Sequence, residues 1–183
     1  MAAETPQATL DGYVQIAYVV PDGRQAALEW AALGAGPFYE KRYVTESEVS
    51  YRGKPATLDH ISFFGQYGSM MLELIEPVGT ADSVYRDLTG SGASGLHHFA
   101  RICPDLEQAI AEAEAQGFEL ACRAGTPQTP VAFVDARDRL GHMIELCQDG
   151  PSLRFLYQFV ADAARDWDGS DPVRELAAPA DKR

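Results

Sequence analysis

Apolar residues alternate along Gln15–Val19, Pro21-Asp22 breaks that strand pattern, and a helical period then runs as far as Gly34. The same order returns 83 positions later. Residues 98–117 (HFARICPDLEQAIAEAEAQG) align without a gap on residues 15–34 (QIAYVVPDGRQAALEWAALG), with eight identities in 20 positions. In each copy Asp precedes the helix, Gln stands three positions on, and Gly closes it. That pattern predicts an Asp N-cap within a capping box and a left-handed glycine past the helix end. Short extended segments follow each helix. They are Phe38–Thr45, Thr57–Phe64 and Ser69–Glu76 in the first half, and Glu119–Ala124, Val131–Asp135 and Met143–Gln148 in the second, with Gly- and Pro-containing turns between. The chain therefore reads as a duplication, an α+β protein of two tandem βαβββ modules with curved, mostly antiparallel sheets.

The first module spans residues 13–77 and the second residues 96–149. Residues 78–95 form a linker with a short helix at Ser83–Leu88 and a flexible Gly- and Ser-rich link at Thr89–Gly95. From residue 150 to 183 comes a C-terminal helix and tail. Leu153, Leu156, Tyr157, Val160, Ala161 and Ala164 recur at helical spacing over 152–166, which suits a cover or a homodimer contact. Trp167-Asp168-Gly169 ends that helix, and the tail beyond is expected to fray.

Charge narrows the partners. Fifteen Lys and Arg against 27 Asp and Glu give a net charge of −12, which argues against nucleic acid and against an anionic membrane surface. Apolar runs are far short of a transmembrane span. The N-terminal residues carry neither a positive region nor an apolar core and do not read as a signal peptide. Three cysteines (Cys103, Cys122, Cys147) without a CxxC pair read as reduced thiols, so a cytoplasmic location is expected.

Strand periodicity then sorts the polar residues. Gln15, Ala17 and Val19 share one face, and His98, Ala100 and Ile102 share the matching face. That assignment sends His97 to the opposite side, as a structural residue, and turns Arg101 toward surface acids. Glu73 and Glu145 each sit in the middle of an apolar strand, where a carboxylate is costly unless paired, protonated or bound to a cation. The duplicated positions thus offer a Gln/Glu pair and a His/Glu pair, four donors able to converge on one divalent ion. Glu76, beside Pro77, reads as solvated. Tyr13, Tyr18, Met70 and Phe133 could line a pocket or pack the core, and Trp30, Phe38 and Tyr39 are expected to pack helix on sheet.

The motifs GLHHFA at Gly95–Ala100, MLELIEP at Met71–Pro77 and GHMIEL at Gly141–Leu146 make the chain resemble the vicinal oxygen chelate superfamily over roughly residues 13–148. It is most similar to the glyoxalase-like branch that contains methylmalonyl-CoA epimerase. The resemblance implies an open, barrel-like cup with a divalent metal inside (Zn, Co, Ni or Mn), held by Gln15, Glu73, His98 and Glu145. It also departs from that branch: Gln15 stands where the epimerases place His, giving the Gln, Glu, His, Glu order of eukaryotic-type glyoxalase I. The epimerase's additional catalytic glutamate has no clear counterpart near Ala56–His60. Being neutral, Gln15 should hold metal less tightly than a second His would.

The function implied is a metal-dependent isomerase, epimerase or lyase acting on a small oxygenated substrate, with Glu145 or Glu73 moving a carbon-bound proton. A single His among the four positions argues against a ring-opening dioxygenase. The alternative is a metal-free protein that binds or sequesters a small molecule in an aromatic-lined pocket, with its carboxylates protonated or hydrogen bonded.

Overall fold

The computed structural model describes residues 12–45, 49–87 and 94–176. Most of the link expected at Thr89–Gly95, and Leu88 of the expected short helix, lie outside the described residues. In chain order the first half consists of β1 (Gln15–Val19), α1 (Gly23–Ala32), β2 (Phe38–Thr45), a hairpin of β3 (Ser50–Tyr51) and β4 (Lys54–Pro55), β5 (Leu58–Tyr67) and β6 (Met70–Pro77). A 3-10 helix at Val84–Arg86 lies within the span of the expected short helix. The second half runs β7 (Gly95–Cys103), α2 (Leu106–Ala115), β8 (Glu119–Thr126), β9 (Thr129–Asp135), a single helical turn α3 (Arg137–Leu140) and β10 (Met143–Gln148). Helix α4 (Pro151–Ala164) and β11 (Val173–Glu175) follow.

All eleven strands join one open sheet in the order β11-β2-β5-β6-β1-β7-β10-β9-β8-β3-β4. The duplication is written into its register. In the first half β1 runs parallel to β6 with Gln15 opposite Met71 and Ala17 opposite Glu73. In the second β7 runs parallel to β10 with His98 opposite Met143 and Ala100 opposite Glu145. The first strands of the two halves pair antiparallel at the centre, which places the two copies back to back across a pseudo-two-fold.

Capping chemistry repeats too. Asp22 accepts from the Gln25 backbone N–H at 2.8 Å and Asp105 from that of Gln108 at 3.0 Å. Only half of the expected capping box forms, because the Gln side chains reach forward instead, to Glu29 and Glu112. The first helical N–H is met from the end of the partner strand: Glu76 accepts from Gly23 and Gln148 from Leu106. These acceptors close the helix N-terminus, where orphan N–H groups carry partial positive charge. Gly34 and Gly117, at φ of +91° and +84°, end both helices in the left-handed region.

Both helices cover the convex side. Helix α1 packs on Phe38, Phe63, Leu72 and Leu74, with Tyr18 and Trp30 in contact at 5.8 Å between ring centres. Helix α2 packs on Val134, Ile144 and Leu146. The concave side holds Ala17, Val19, Ile75, Tyr85, Phe133 and Met143. Helix α4 lies over one end of that concavity, against Met71, Phe64 and Ile102, and so acts as a cover within the chain. The tail does not fray at once: Val173 is buried, and β11 adds a parallel strand to the exposed edge of β2.

Candidate functional site

Four side chains from the duplicated positions meet inside the cup. Ala17 and Ala100, both fully buried and without bulk beyond Cβ, leave space beside the carboxylates that face them across the ladder. Gln15 donates from Nε2 to Glu73 Oε2 at 2.7 Å, and the same nitrogen lies 3.3 Å from His98 Nε2. His98 Nε2 is 3.3 Å from Glu145 Oε2 and 3.7 Å from Glu73 Oε2. Tyr157 on α4 donates its hydroxyl to Gln15 Oε1 at 2.8 Å, and Ser62 on β5 donates to Glu73 Oε1 at 2.6 Å. Among the described residues no three His, Cys, Asp or Glu side chains stand as a ready-made metal cage. The arrangement is a hydrogen-bonded cluster in which the Gln15 amide presents its nitrogen to the centre and its oxygen to Tyr157.

Electrostatics follow from burial. Burial pushes the Glu73 carboxyl above the ordinary carboxylate range; His98 pulls it back, and Glu145 adds to the push. Tyr43, Tyr85 and Tyr157 are all driven up, first by burial and then, for the first two, by Glu73 and Glu145. Burial lowers the His97 imidazole to about 3, helped by the neighbouring His98. It lowers His60 to about 4 against the pull of Glu145 and Asp59.

Three expectations need correction. His97 does not face away from the cup. The β1–β7 register slips between Ala17 and Tyr18, so that Ala17 faces His98 and Tyr18 faces Leu96, with His97 as the extra residue of a bulge. The bulge turns His97 inward: it is fully buried, with Nδ1 2.8 Å from His98 Nδ1 and Nε2 2.9 Å from the Val84 carbonyl. Arg101 does face outward, but its Nε is buried and has no hydrogen-bond partner among the described residues, rather than being paired with an acid. Glu76 is the helix-capping acceptor described above, and not a freely solvated carboxylate.

Residues 14–133 match the Glyoxalase/Bleomycin resistance protein/Dioxygenase superfamily. The chain belongs to that superfamily. A stretch of 92 residues is 37% identical to the uncharacterized protein YqjC of Bacillus subtilis (strain 168), covering 49% of this chain and 64% of that protein. The chain thus spans somewhat under two thirds of that relative's length. Methylmalonyl-CoA epimerase from Mycobacterium tuberculosis is similar in fold, with a TM-score of 0.54 and 21% identity over 84% of this chain and 99% of that one. A Streptomyces coelicolor methylmalonyl-CoA epimerase in complex with 2-nitronate-propionyl-CoA gives 0.54 and 21% over 77% and 96%. The hypothetical protein BH1468 from Bacillus halodurans C-125 gives 0.54 and 19% over 76% and 95%. At these identities the structural likeness is one of fold.

In this member of the superfamily the cup is more aromatic than the four polar positions suggest. The Phe133 ring centre lies 5.3 Å from that of His98, and Tyr85 links His97 to His60. His60, stacked on Tyr43, has a buried Nδ1 without a partner among the described residues. His60 shares a strand face with Ser62 in an apolar run, so the argument that singled out Glu73 and Glu145 could have found it. Tyr157 was visible only as one position of a helical stripe. Of the pocket candidates, Phe133 lines the cup, while Tyr18 packs under α1. Tyr13 borders a separate cavity of about 360 Å³ between α4 and the start of β1, whose wall includes Tyr157, Met71 and Arg154. No helix among the described residues is long and apolar enough to cross a membrane.

Proposed function

We propose that this protein is a divalent-metal-dependent enzyme of the vicinal oxygen chelate type, an isomerase, epimerase or lyase acting on a small oxygenated carbon acid. Gln15, Glu73, His98 and Glu145 are its metal donors, two from each of the modules at 13–77 and 96–149. The observation that supports this is the crowding of two carboxylates within 3.7 Å of one imidazole nitrogen in a buried centre. Such a set is acceptor-rich and short of positive charge, which suits a cation such as Zn, Co, Ni or Mn. Gln15 can join by turning its amide so that the oxygen faces inward, since the Tyr157 hydroxyl can accept as readily as it donates. A cation held there would supply Lewis-acid stabilisation of the negative charge that develops on substrate oxygen when the carbon proton leaves.

The proton itself is work for the carboxylates. Glu73 is tied by Ser62 and Gln15, whereas Glu145 has the freer carboxylate beside His98. Glu145 therefore takes the proton from carbon and returns it, with Glu73 fixing the opposite side of the centre. Tyr43, Tyr85 and Phe133 keep water from the developing carbanion.

A second reading has an observation of its own. The Gln15 amide nitrogen already occupies the centre and satisfies Glu73, as a metal-free binding protein of the superfamily would require. Metal content of protein purified without an affinity tag separates the two. So does deuterium uptake from D₂O at the α-carbon of methylmalonyl-CoA, the substrate suggested by the epimerases of like fold. The enzyme reading expects about one bound metal per chain, and loss of both metal and exchange in Glu145→Gln. Glu76→Gln should retain them, since a Gln acceptor serves the equivalent cap at Gln148. Wild-type protein with no metal, and none taken up on titration, would leave the binding protein as the reading to keep.

A further inference from the structure

We infer that His97 is a positioning residue: its hydrogen bond to the Val84 carbonyl fixes the proton on Nδ1 of His98 and leaves His98 Nε2 as an electron-pair donor aimed into the cup. The argument is a count of hydrogens along an unbroken chain of contacts. A carbonyl oxygen can only accept, so His97 Nε2, 2.9 Å from Val84 O, carries the hydrogen. Its Nδ1 stands 2.8 Å from His98 Nδ1, and two ring nitrogens in contact share one hydrogen, which belongs to His98 when His98 Nε2 accepts from the Gln15 amide. A neutral His98 with its hydrogen on Nδ1 has a lone pair on Nε2.

The other end of the chain agrees. Gln15 has two amide hydrogens; one goes to Glu73 Oε2, and the second points to His98 Nε2 at 3.3 Å, which can receive it only if unprotonated. In that orientation the amide oxygen accepts from the Tyr157 hydroxyl. Every hydrogen from Val84 to Tyr157 is used once. The carbonyl that starts the chain is itself pinned: Asp87, three residues after Val84, accepts from Arg52 at 2.8 Å, and its own carbonyl accepts from Arg137 at 2.6 Å. In free solution a neutral imidazole exchanges its hydrogen between the two nitrogens, so without such a clamp the donor atom at the centre would be lost part of the time. The bulge in β7 is what brings His97 to this post.

The consequence for metal affinity rests on the reading given under Proposed function; the tautomer does not. The test is long-range ¹H–¹⁵N correlation on metal-free, ¹⁵N-histidine-labelled protein near neutral pH, followed by Co(II) titration. Wild-type His98 is expected to show a protonated Nδ1 and an unprotonated Nε2. In His97→Phe, which keeps an apolar ring but removes the acceptor, His98 should shift toward Nε2–H, and Co(II) should bind 10–100-fold more weakly. His97→Asn restores an acceptor oxygen and should recover the tautomer and most of the affinity, which a purely space-filling role would not allow. A wild-type His98 protonated on Nε2, or an unchanged tautomer in His97→Phe, overturns the inference. Should His97→Phe fail to fold, the wild-type spectrum and His97→Asn decide it. The expected tautomer with no Co(II) binding at all would sink the metal reading and leave the positioning role standing.

Discussion

At the scale of the single residue, the cup is built from side chains whose ionisation is set by where the backbone leaves them. His60 is the clearest case. It is buried against Tyr43 and Tyr85, with Asp59 and Glu145 the charges that face it, and burial wins: its pKa falls to about 4. The folded protein thus holds His60 neutral at pH values where the unfolded chain, titrating near 6.5, binds a proton. Because the folded value is the lower one, stability is full above about pH 6.5 and falls as pH drops toward 4, at up to about 1.4 kcal/mol per unit for this one group. Glu73, whose carboxyl is raised, works in the opposite sense, so the wild-type profile alone is ambiguous. The difference between wild type and His60→Phe isolates the histidine. Urea unfolding at pH 7 and pH 5 should show the wild type losing about 2 kcal/mol more than the variant, and parallel losses would mean that His60 is not held neutral.

At the scale of the element, residue pattern was enough to find the eight module strands and the two capped helices, though not the β3–β4 hairpin, α3 or β11, since β2 and β10 occupy the spans that alternation predicts and the Asp caps form in both copies. What alternation could not give is a change of register. The bulge that turns His97 inward adds one residue to a strand without altering its composition, so counting by twos along Gly95–Cys103 sends that side chain to the wrong face. Complementary volumes were hidden for a similar reason. Position 23 opens α1 as Gly, where the repeat has Leu106 opening α2. A Cβ on Gly23 would stand 2.1 Å from Phe63 Cε2. Phe63 pairs with Leu74 in β5–β6 as Ala132 pairs with Leu146 in β9–β10. One copy therefore fills its helix–sheet seam with Gly and Phe, the other with Leu and Ala. Gly23→Ala should cost about 1–3 kcal/mol as overpacking. The double change Gly23→Leu with Phe63→Ala, which writes the second copy's solution into the first, should be more stable than Gly23→Leu alone. Thermal unfolding of the set reads the coupling, and additive effects would show that the two positions do not share a seam.

At the scale of the whole molecule, the open sheet leaves its two outer regions to be tied by something other than a continuous ladder. The tie is the β3–β4 hairpin, which leaves the first half after β2 and adds to β8 of the second. At its turn, Arg52 binds Asp87 and Asp135 at 2.8 and 2.7 Å, and Arg137 grips Asp135 from the other side. Arg137 first, and Arg52 after it, hold the Asp135 carboxyl well below the usual carboxylate range. Arg52 is partly exposed, so removing it should cost less than breaking a fully buried pair, about 1–3 kcal/mol. Since Asp135 has the depressed value in the fold, its share of that stability is present above about pH 4 and is lost as pH falls below it. The gap in unfolding free energy between wild type and Arg52→Met should hold steady from pH 8 to pH 5 and narrow below pH 4. Hydrogen exchange locates the effect: amides of Ser50–Lys54 and of Glu119–Ala124 should exchange faster in the variant, while those of α1 and β5 keep their protection. Because Asp87 also anchors the turn that carries Val84, the same variant should loosen the hold on His97 from a distance of several residues. Uniform loss of protection across the chain would mean that Arg52 supports the fold as a whole. Loss confined to the hairpin, β8 and the Val84–Asp87 turn would make it the clasp between the two halves and would tie it to the carbonyl that holds His97.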